Sequence, residues 1–186
     1  RDSSPLGIAE ALHTDDVAEL LRIAHAHGVP VVPRGAGTGL SGGAAAGGGE
    51  IVLSLSRMNR IIEIDPIDQV ARVEAGVLNA GISHAARPYG LLYAPDPAGR
   101  AIATIGGNIA TNAGGLRCAK YGVTREAVLA LTAVLADGRT IHTGRRSLKG
   151  VTGYDLTALL VGSEGTLAVV TEATLRLVPL SSTPPT

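Results

Sequence analysis

Glycine is distributed very unevenly along this chain, and that unevenness limits what the chain can fold into. It makes up 25 of the 186 residues and crowds into the stretches 35–49, 106–115 and 162–165. Without a Cβ, glycine lets the backbone adopt positive φ and lets another group lie directly against it. No collagen-like period relates the clusters, so each reads as a place where main chain comes close to something. The remaining residues must build a core without large rings: there is no Phe or Trp, and four Tyr are the only aromatics. Val, Leu, Ile and Ala therefore pack the interior at close backbone spacing, and a hydrophobic fraction of 45% is enough for a sizeable core.

The length fits one compact domain, or one domain in two lobes. Net charge is zero and no run of Lys or Arg occurs. That argues against nucleic acid as a partner, because phosphate contacts need clustered cations. The single Cys118 excludes an internal disulfide framework and a cysteine zinc site, and is consistent with a reducing compartment. No apolar run reaches membrane-spanning length, and no signal peptide opens the chain. The start at Arg1-Asp2-Ser3-Ser4 and the Pro/Ser/Thr-rich end from Pro179 to Thr186 read as cuts within a longer protein. Residues 1–178 are expected to form one domain, with 179–186 a tail leading out of it.

Residues 14–27 read as a helix capped by Thr14, with Asp15 and Asp16 in its first turn and Val17, Leu20, Leu21 and Ala24 on one face. Strands are expected at 29–33, 51–55, 61–65, 69–74, 128–135, 140–143 and 167–178, with Asp137-Gly138 as a hairpin turn. Residues 78–87 and 155–160 suit short helices. The sum is an α+β fold with many short strands and few helices.

Three motifs carry chemistry. In Pro33-Arg34-Gly35-Ala36-Gly37-Thr38-Gly39-Leu40-Ser41-Gly42-Gly43, glycines at alternate positions let successive N–H groups turn into one concavity, a nest for anionic oxygens such as phosphate. The hydroxyls of Thr38 and Ser41 can add donors. Gly37, Gly39 and Gly42 match GxGxxG, but the Rossmann reading needs a helix to open there, and the Gly/Ala run that follows is a poor helix. A flexible loop without ligand is the alternative. In Thr104-Ile105-Gly106-Gly107-Asn108-Ile109-Ala110-Thr111-Asn112-Ala113-Gly114-Gly115, the asparagines offer donors and acceptors to a planar polar ring or to a second phosphate; a pair of tight turns is the alternative. Gly162-Ser163-Glu164-Gly165 is a further close-approach loop or a plain helix-to-strand turn, and lacks the spacing of a GxSxG nucleophile elbow. The five histidines read as surface or structural groups, none at a metal-binding spacing with a carboxylate, and Cys118 as a passive residue. No metal site and no catalytic residue is assigned.

Taken together and in order, these blocks resemble the FAD-binding domain of the FAD-linked oxidases of the vanillyl-alcohol oxidase type. Within that superfamily the chain is most similar to the glycolate oxidase D-subunit and D-lactate dehydrogenase group. The matching residues are 31–43, Ala94-Pro95-Asp96-Pro97, Ile105-Gly106-Gly107-Asn108 with Asn112-Ala113-Gly114-Gly115, Lys120-Tyr121-Gly122, Gly153-Tyr154-Asp155-Leu156 and residues 162–167. The resemblance covers nearly the whole chain and implies a two-lobed α+β domain with FAD between the lobes. It implies that Arg34, Gly35, Ala36, Gly37, Thr38, Gly39, Leu40 and Ser41 hold the pyrophosphate. Pro95, Asp96, Thr104, Gly106, Gly107, Asn108, Thr111, Asn112, Gly114, Gly115, Tyr121 and Gly122 would line the flavin and ribityl side. Glu164, Gly165 and Val169 would close over the rest.

Some members of the superfamily bind flavin covalently through a His in the first loop. Thr38 stands at the aligned place, so the resemblance implies non-covalent FAD. Ala168 replaces a usual Gly and Gly99 a common Ser, which touches local contacts and not the fold. The implied reaction is oxidation of a 2-hydroxy acid of the glycolate or D-lactate kind, with hydride transfer to the flavin and electrons passed on to a quinone, a partner subunit or oxygen. The substrate would sit under a second, C-terminal domain. An alditol or other alcohol oxidase on the same scaffold, and a non-catalytic FAD-binding subunit of a larger complex, are the alternatives. The expected location is the cytoplasm, with a peripheral place at the membrane open to the full-length protein.

Overall fold

The structure is a computed structural model that describes residues 4–145 and 153–180. The tail beyond residue 180 lies outside the described residues. The first helix, α1 (Thr14–Ala26), follows a strand that the sequence reading did not anticipate, β1 (Gly7–Glu10). Its N-cap is His13, not Thr14. The Asp16 carboxylate does the capping, accepting the N–H groups of Leu12 and His13 at 2.9 Å each, and those bonds hold its carboxyl below the usual range. The Thr14 hydroxyl instead donates to Thr171 Oγ1 at 3.0 Å, tying helix to sheet. Val17, Leu21 and Ala24 form the buried face, as their spacing demands.

Strands β2 (Val31–Arg34) and β3 (Ile51–Ser54) join β1 in a parallel sheet of order β1-β3-β2. Pro33 sits in β2, an edge strand where a missing N–H is tolerated. The chain then builds β4 (Ile61–Asp65), β5 (Val70–Glu74), α2 (Asn79–Ala86) and the short β6 (Leu91–Leu92). After α3 (Ile105–Thr111) and the single turns α4 (Cys118–Tyr121) and α5 (Thr124–Ala127) come β7 (Val128–Val134), β8 (Thr140–Gly144), α6 (Leu156–Leu160), β9 (Val169–Arg176) and β10 (Val178–Pro179). An antiparallel sheet of order β4-β5-β9-β7-β8 results, and β10 pairs with β6. The central strand β9 buries Val169, Thr171, Ala173 and Leu175 alternately, the period of a strand with one face to the core. No helix among the described residues is long and apolar enough to cross a membrane.

Residues 105–111 are a helix, where the sequence leaves a pair of glycine turns as one of two readings and anticipates no helix. Gly106 and Gly107 are poor helix formers, but packing decides. A Cβ at Gly106 would lie 2.9 Å from that of Ala75, so only glycine lets α3 start against β5. Thr104 caps it by accepting from the Gly107 N–H at 3.3 Å, and Asn112 ends it in the left-handed region at φ 48°.

Two apolar clusters form the core. One lies between the antiparallel sheet, α2 and α3, around Val73, Ile82, Ile105, Ile109, Leu175 and the single buried ring, Tyr93. Burial pushes the Tyr93 phenol up, with the Thr124 hydroxyl facing it. The other lies under α1 and joins Leu53 and Met58 to Ala75, Val134 and Val169 of the larger sheet. The clusters meet at residues 74–77. There Ala75 donates to Thr171 O at 2.9 Å and accepts from Gly106 N–H at 2.8 Å, Gly76 donates to Met58 O at 2.7 Å, and Val77 accepts from Ile105 N–H at 2.8 Å.

Glu74 anchors this seam. Its side chain is 2% exposed, while its partner Arg60 is 64% exposed. The carboxylate accepts the Arg60 backbone N–H at 2.8 Å and its guanidinium at 2.6 and 3.0 Å. Burial alone would push the Glu74 carboxyl up, but these bonds outweigh it and hold the group below the usual glutamate range. Its folded value is therefore lower than its unfolded one, so the contribution to stability is complete above about pH 5 and disappears as pH falls through the depressed value. Glu74→Gln is expected to lower unfolding free energy at pH 7 by about 1–3 kcal/mol, and by less at pH 3. Urea denaturation of both proteins at the two pH values checks this; an equal difference at both would show that the charge contributes nothing.

Candidate functional site: a glycine-lined cleft

The first glycine loop leaves the end of β2 and returns at β3, so its ends are fixed by the parallel sheet. Leu55 N–H donates to Arg34 O at 2.9 Å and seals the strand pair at the point where the loop departs. Gly35 then lies so close to Thr104 that a Cβ would collide with the threonine hydroxyl. This contact presses the start of the loop against the cap of α3. Gly37 is in the left-handed region at φ 70°, and a Cβ there would lie 2.7 Å from a guanidinium nitrogen of Arg34. The Arg34 side chain therefore folds back over the loop that follows it.

Loop, helix α3 and the third glycine cluster enclose a cleft. Its wall includes Arg34, Gly35, Ala36, Gly37, Thr38, Gly39 and Ser41 from the loop. Thr104, Gly106, Gly107, Asn108 and Thr111 come from α3, and Ser163, Glu164 and Gly165 with Ala168 and Val169 from the approach to β9. The N–H groups of residues 35–41 donate to no described partner. Main-chain donors without internal acceptors, on a loop that lines a cleft, are what an anion nest requires. Arg34 is the cation of the wall and Glu164 the carboxylate.

The third cluster is held by main chain. Gly162 donates to Ile109 O and Glu164 to Ala110 O, both at 2.9 Å. Glu164 adopts φ 51°, an unfavourable region for a residue with a side chain. Its carboxylate accepts from the Ser41 hydroxyl at 3.2 Å, bridging the mouth of the cleft. Ser41 was read as a donor to phosphate; its hydroxyl is turned to Glu164 instead. The Thr111 hydroxyl is likewise engaged, donating to Gly107 O at 3.0 Å.

The other candidate residues stand outside this cleft. Leu40 is fully exposed. Asp96 accepts the Arg117 N–H at 2.9 Å and pairs with Arg100 and Arg117, while Gly115 packs against the Asp96 main chain with no room for a Cβ. Pro95 O accepts from Asn79 at 3.3 Å. Asn112 accepts the Arg125 N–H at 2.9 Å as part of the end of α3. A Cβ at Gly114 would lie 3.1 Å from Val123. Tyr121 lines a separate recess with Asp68, Gln69, Lys120 and Arg176, and Gly122 follows it at φ 79°.

Sequence reasoning missed Leu55, Ala75 and Ala110, which line the cleft, and Asn79, which bonds to the wall residue Asn108. The apolar ones are small or ordinary core types and carry no local signal. Asn79 sits in the first turn of a helix, where Asn is common for other reasons.

The geometry agrees with the comparisons. Residues 5–144 match the family model described as FAD binding domain. Glycolate oxidase subunit GlcD of Bacillus subtilis is 49% identical over 97% of this chain and 38% of its own length. A D-lactate dehydrogenase of Anaerostipes hadrus is 45% identical over 94% of the chain and 37% of its own length. The chain thus spans less than two-fifths of the curated relatives it matches. Among solved structures, an alkyldihydroxyacetonephosphate synthase superposes with a TM-score of 0.83 at 23% identity, covering 95% of this chain and 32% of that one. The matched family model and the close relatives lead to one assignment: the chain belongs to the FAD binding domain family, with the mixed helix-and-sheet fold of the vanillyl-alcohol oxidase type.

Proposed function

We propose that the glycine-lined cleft is the seat of FAD, and that the chain is the cofactor part of an enzyme that oxidises a 2-hydroxy acid of the glycolate or D-lactate kind. The observation that carries the reading is the loop 35–41, which lines the cleft at every residue but Leu40 and whose N–H groups donate to no described partner, an arrangement that suits the pyrophosphate. The Arg34 guanidinium, folded over Gly37, supplies the neutralising charge. The parallel and antiparallel sheets would be the two lobes, with the cofactor between them. Thr104, Gly106, Gly107, Asn108 and Thr111 would face the flavin and ribityl side, with Glu164, Gly165 and Val169 closing the far end. Pro95, Asp96, Gly114, Gly115 and Asn112 would act one layer back, shaping the wall through the Asp96–Gly115 packing. Tyr121 and Gly122 would border the cofactor only through its outer edge.

Bound FAD supplies the two-electron acceptor for the hydride of the substrate carbinol. The chain's own residues bind and orient it. Substrate specificity is proposed to come from a further domain, reached through residues 179–186. Electrons would then pass to a quinone or a partner subunit. The named activities of the glycolate oxidase subunit and the D-lactate dehydrogenase support the substrate class.

Mixing the purified chain with FAD and removing the excess should leave a flavin absorbance band with the protein. Acid precipitation should then release the flavin to the supernatant, since Thr38 offers no nucleophilic ring nitrogen for a covalent bond. Flavin that stays with the precipitate would refute the non-covalent reading. If FAD does not stay with this chain or with any longer form of the protein, the cofactor reading fails. Arg34→Gln should weaken FAD binding by about tenfold at low salt, make it less salt-sensitive, and leave riboflavin binding unchanged. Equal losses for both ligands would place Arg34 away from the phosphates.

A further inference from the structure

The Asn108 amide is part of the cleft wall, and its orientation is set from behind. Asn79, in the first turn of α2, is 2% exposed, and Asn108 is 5% exposed. Asn79 Nδ2 donates to Pro95 O at 3.3 Å and to Asn108 Oδ1 at 2.9 Å. The proline carbonyl can only accept. The end of the Asn79 amide that meets it must therefore be the NH2 end. The second N–H of that group points at Asn108, so the Asn108 atom it meets must be the oxygen. Asn108 Nδ2 is then left on the opposite side. It donates to no described partner. Among the described residues the Tyr93 hydroxyl alone is sealed from solvent without a partner, so Asn108 Nδ2 opens on the cleft that its residue lines.

We infer that Asn79 is a positioning residue: by fixing the Asn108 amide it makes the cleft wall a hydrogen-bond donor at this point, facing an acceptor atom of the bound flavin ring or ribityl chain. The inference rests on the reading of the cleft as an FAD site. Its content is chemical. A free asparagine side chain can turn either end toward a ligand, and the two orientations are nearly equal in shape. With Pro95 O and Asn79 behind it, Asn108 presents only N–H groups. Oxidised isoalloxazine carries carbonyl oxygens and ring nitrogens as acceptors and a single ring N–H, so a wall fixed as donor admits the acceptor edge and rejects the opposite presentation. Asn79 does not itself line the cleft, yet the polarity seen by the ligand depends on it.

A double-mutant cycle on FAD affinity, read by flavin fluorescence, tests this in the chain. Asn108→Ala should raise the dissociation constant by about tenfold, the loss of one donor in a partly buried site. Asn79→Ala should raise it by a similar factor, and the double variant should be no weaker than Asn108→Ala alone, because Asn79 acts only through Asn108. Multiplying effects, or an Asn79→Ala chain that binds FAD as the unmodified one does, would overturn the inference. If Asn79→Ala fails to fold, NMR of the unmodified chain decides: on adding FAD the Asn108 side-chain N–H signals should move, while those of Asn79 stay in place and exchange slowly. Unmoved Asn108 signals with FAD bound would overturn it. Failure of the unmodified chain to bind FAD at all would instead overturn the cofactor reading.

Discussion

Everything in this structure depends on the short main-chain seam at residues 74–77. Four backbone hydrogen bonds there join the exit of the parallel sheet, the central strand β9 and the start of α3. None can be replaced by side chains, because the approach is too close. Gly76 has three carbonyl oxygens, of Leu55, Ser56 and Met58, where a Cβ would stand. The buried Glu74 carboxylate, held by Arg60 from the solvent side, fixes the strand at the same place. The cleft is what the seam leaves open, with the first glycine loop on one side and α3 on the other. Their separation is set by Ala75 below and by the contact of Gly35 with Thr104 above.

The absence of Phe and Trp makes physical sense in this setting. Two sheets and a helix that meet through main-chain contact need small and branched residues between them, and the cluster at the junction is built of Ala, Val, Leu and one Met, with no ring. A large ring at Ala75 or Gly106 would separate the layers that form the site. Tyr93, the exception, is placed in the other cluster. The site is likewise built mostly of main chain: a glycine loop, the α3 cap from Thr104, and only Arg34 and Glu164 as charges in the wall. A cofactor with a doubly charged pyrophosphate and a polar ring suits such a wall, since main-chain N–H groups bind anions without conformational cost in long side chains.

Much of this was legible in the sequence because it is local. Spacing on α1, alternation in β9 and the Asp137-Gly138 turn each follow from period or turn chemistry, and each is present. The first glycine loop is legible as an irregular close-approach segment, because alternating glycines fit neither a helix nor a strand. What was not legible is tertiary. The sequence predicts no helix at residues 105–111 and leaves a pair of tight turns as one of two readings; packing of Gly106 on Ala75 makes them a helix. Thr14 is a better cap than His13 by type, but Asp16 reaches back and Thr14 is drawn to Thr171. The segment 94–97 and residues 114–122 belong to the family pattern, but the structure shows them bonded to one another and to their neighbours behind the cleft. Asn79 gave no signal because its role exists only once Pro95 and Asn108 surround it.

In the proposed function, main-chain donors of one loop hold the cofactor's pyrophosphate, and amide NMR of the labelled chain is the direct test. On titration with FAD, the backbone N–H signals of Gly35, Gly37 and Gly39 should move most, and riboflavin, which lacks the phosphates, should leave them in place while still moving those of α3. FAD-induced shifts centred on the Lys120–Tyr121 recess, with residues 35–41 unmoved, would contradict the account.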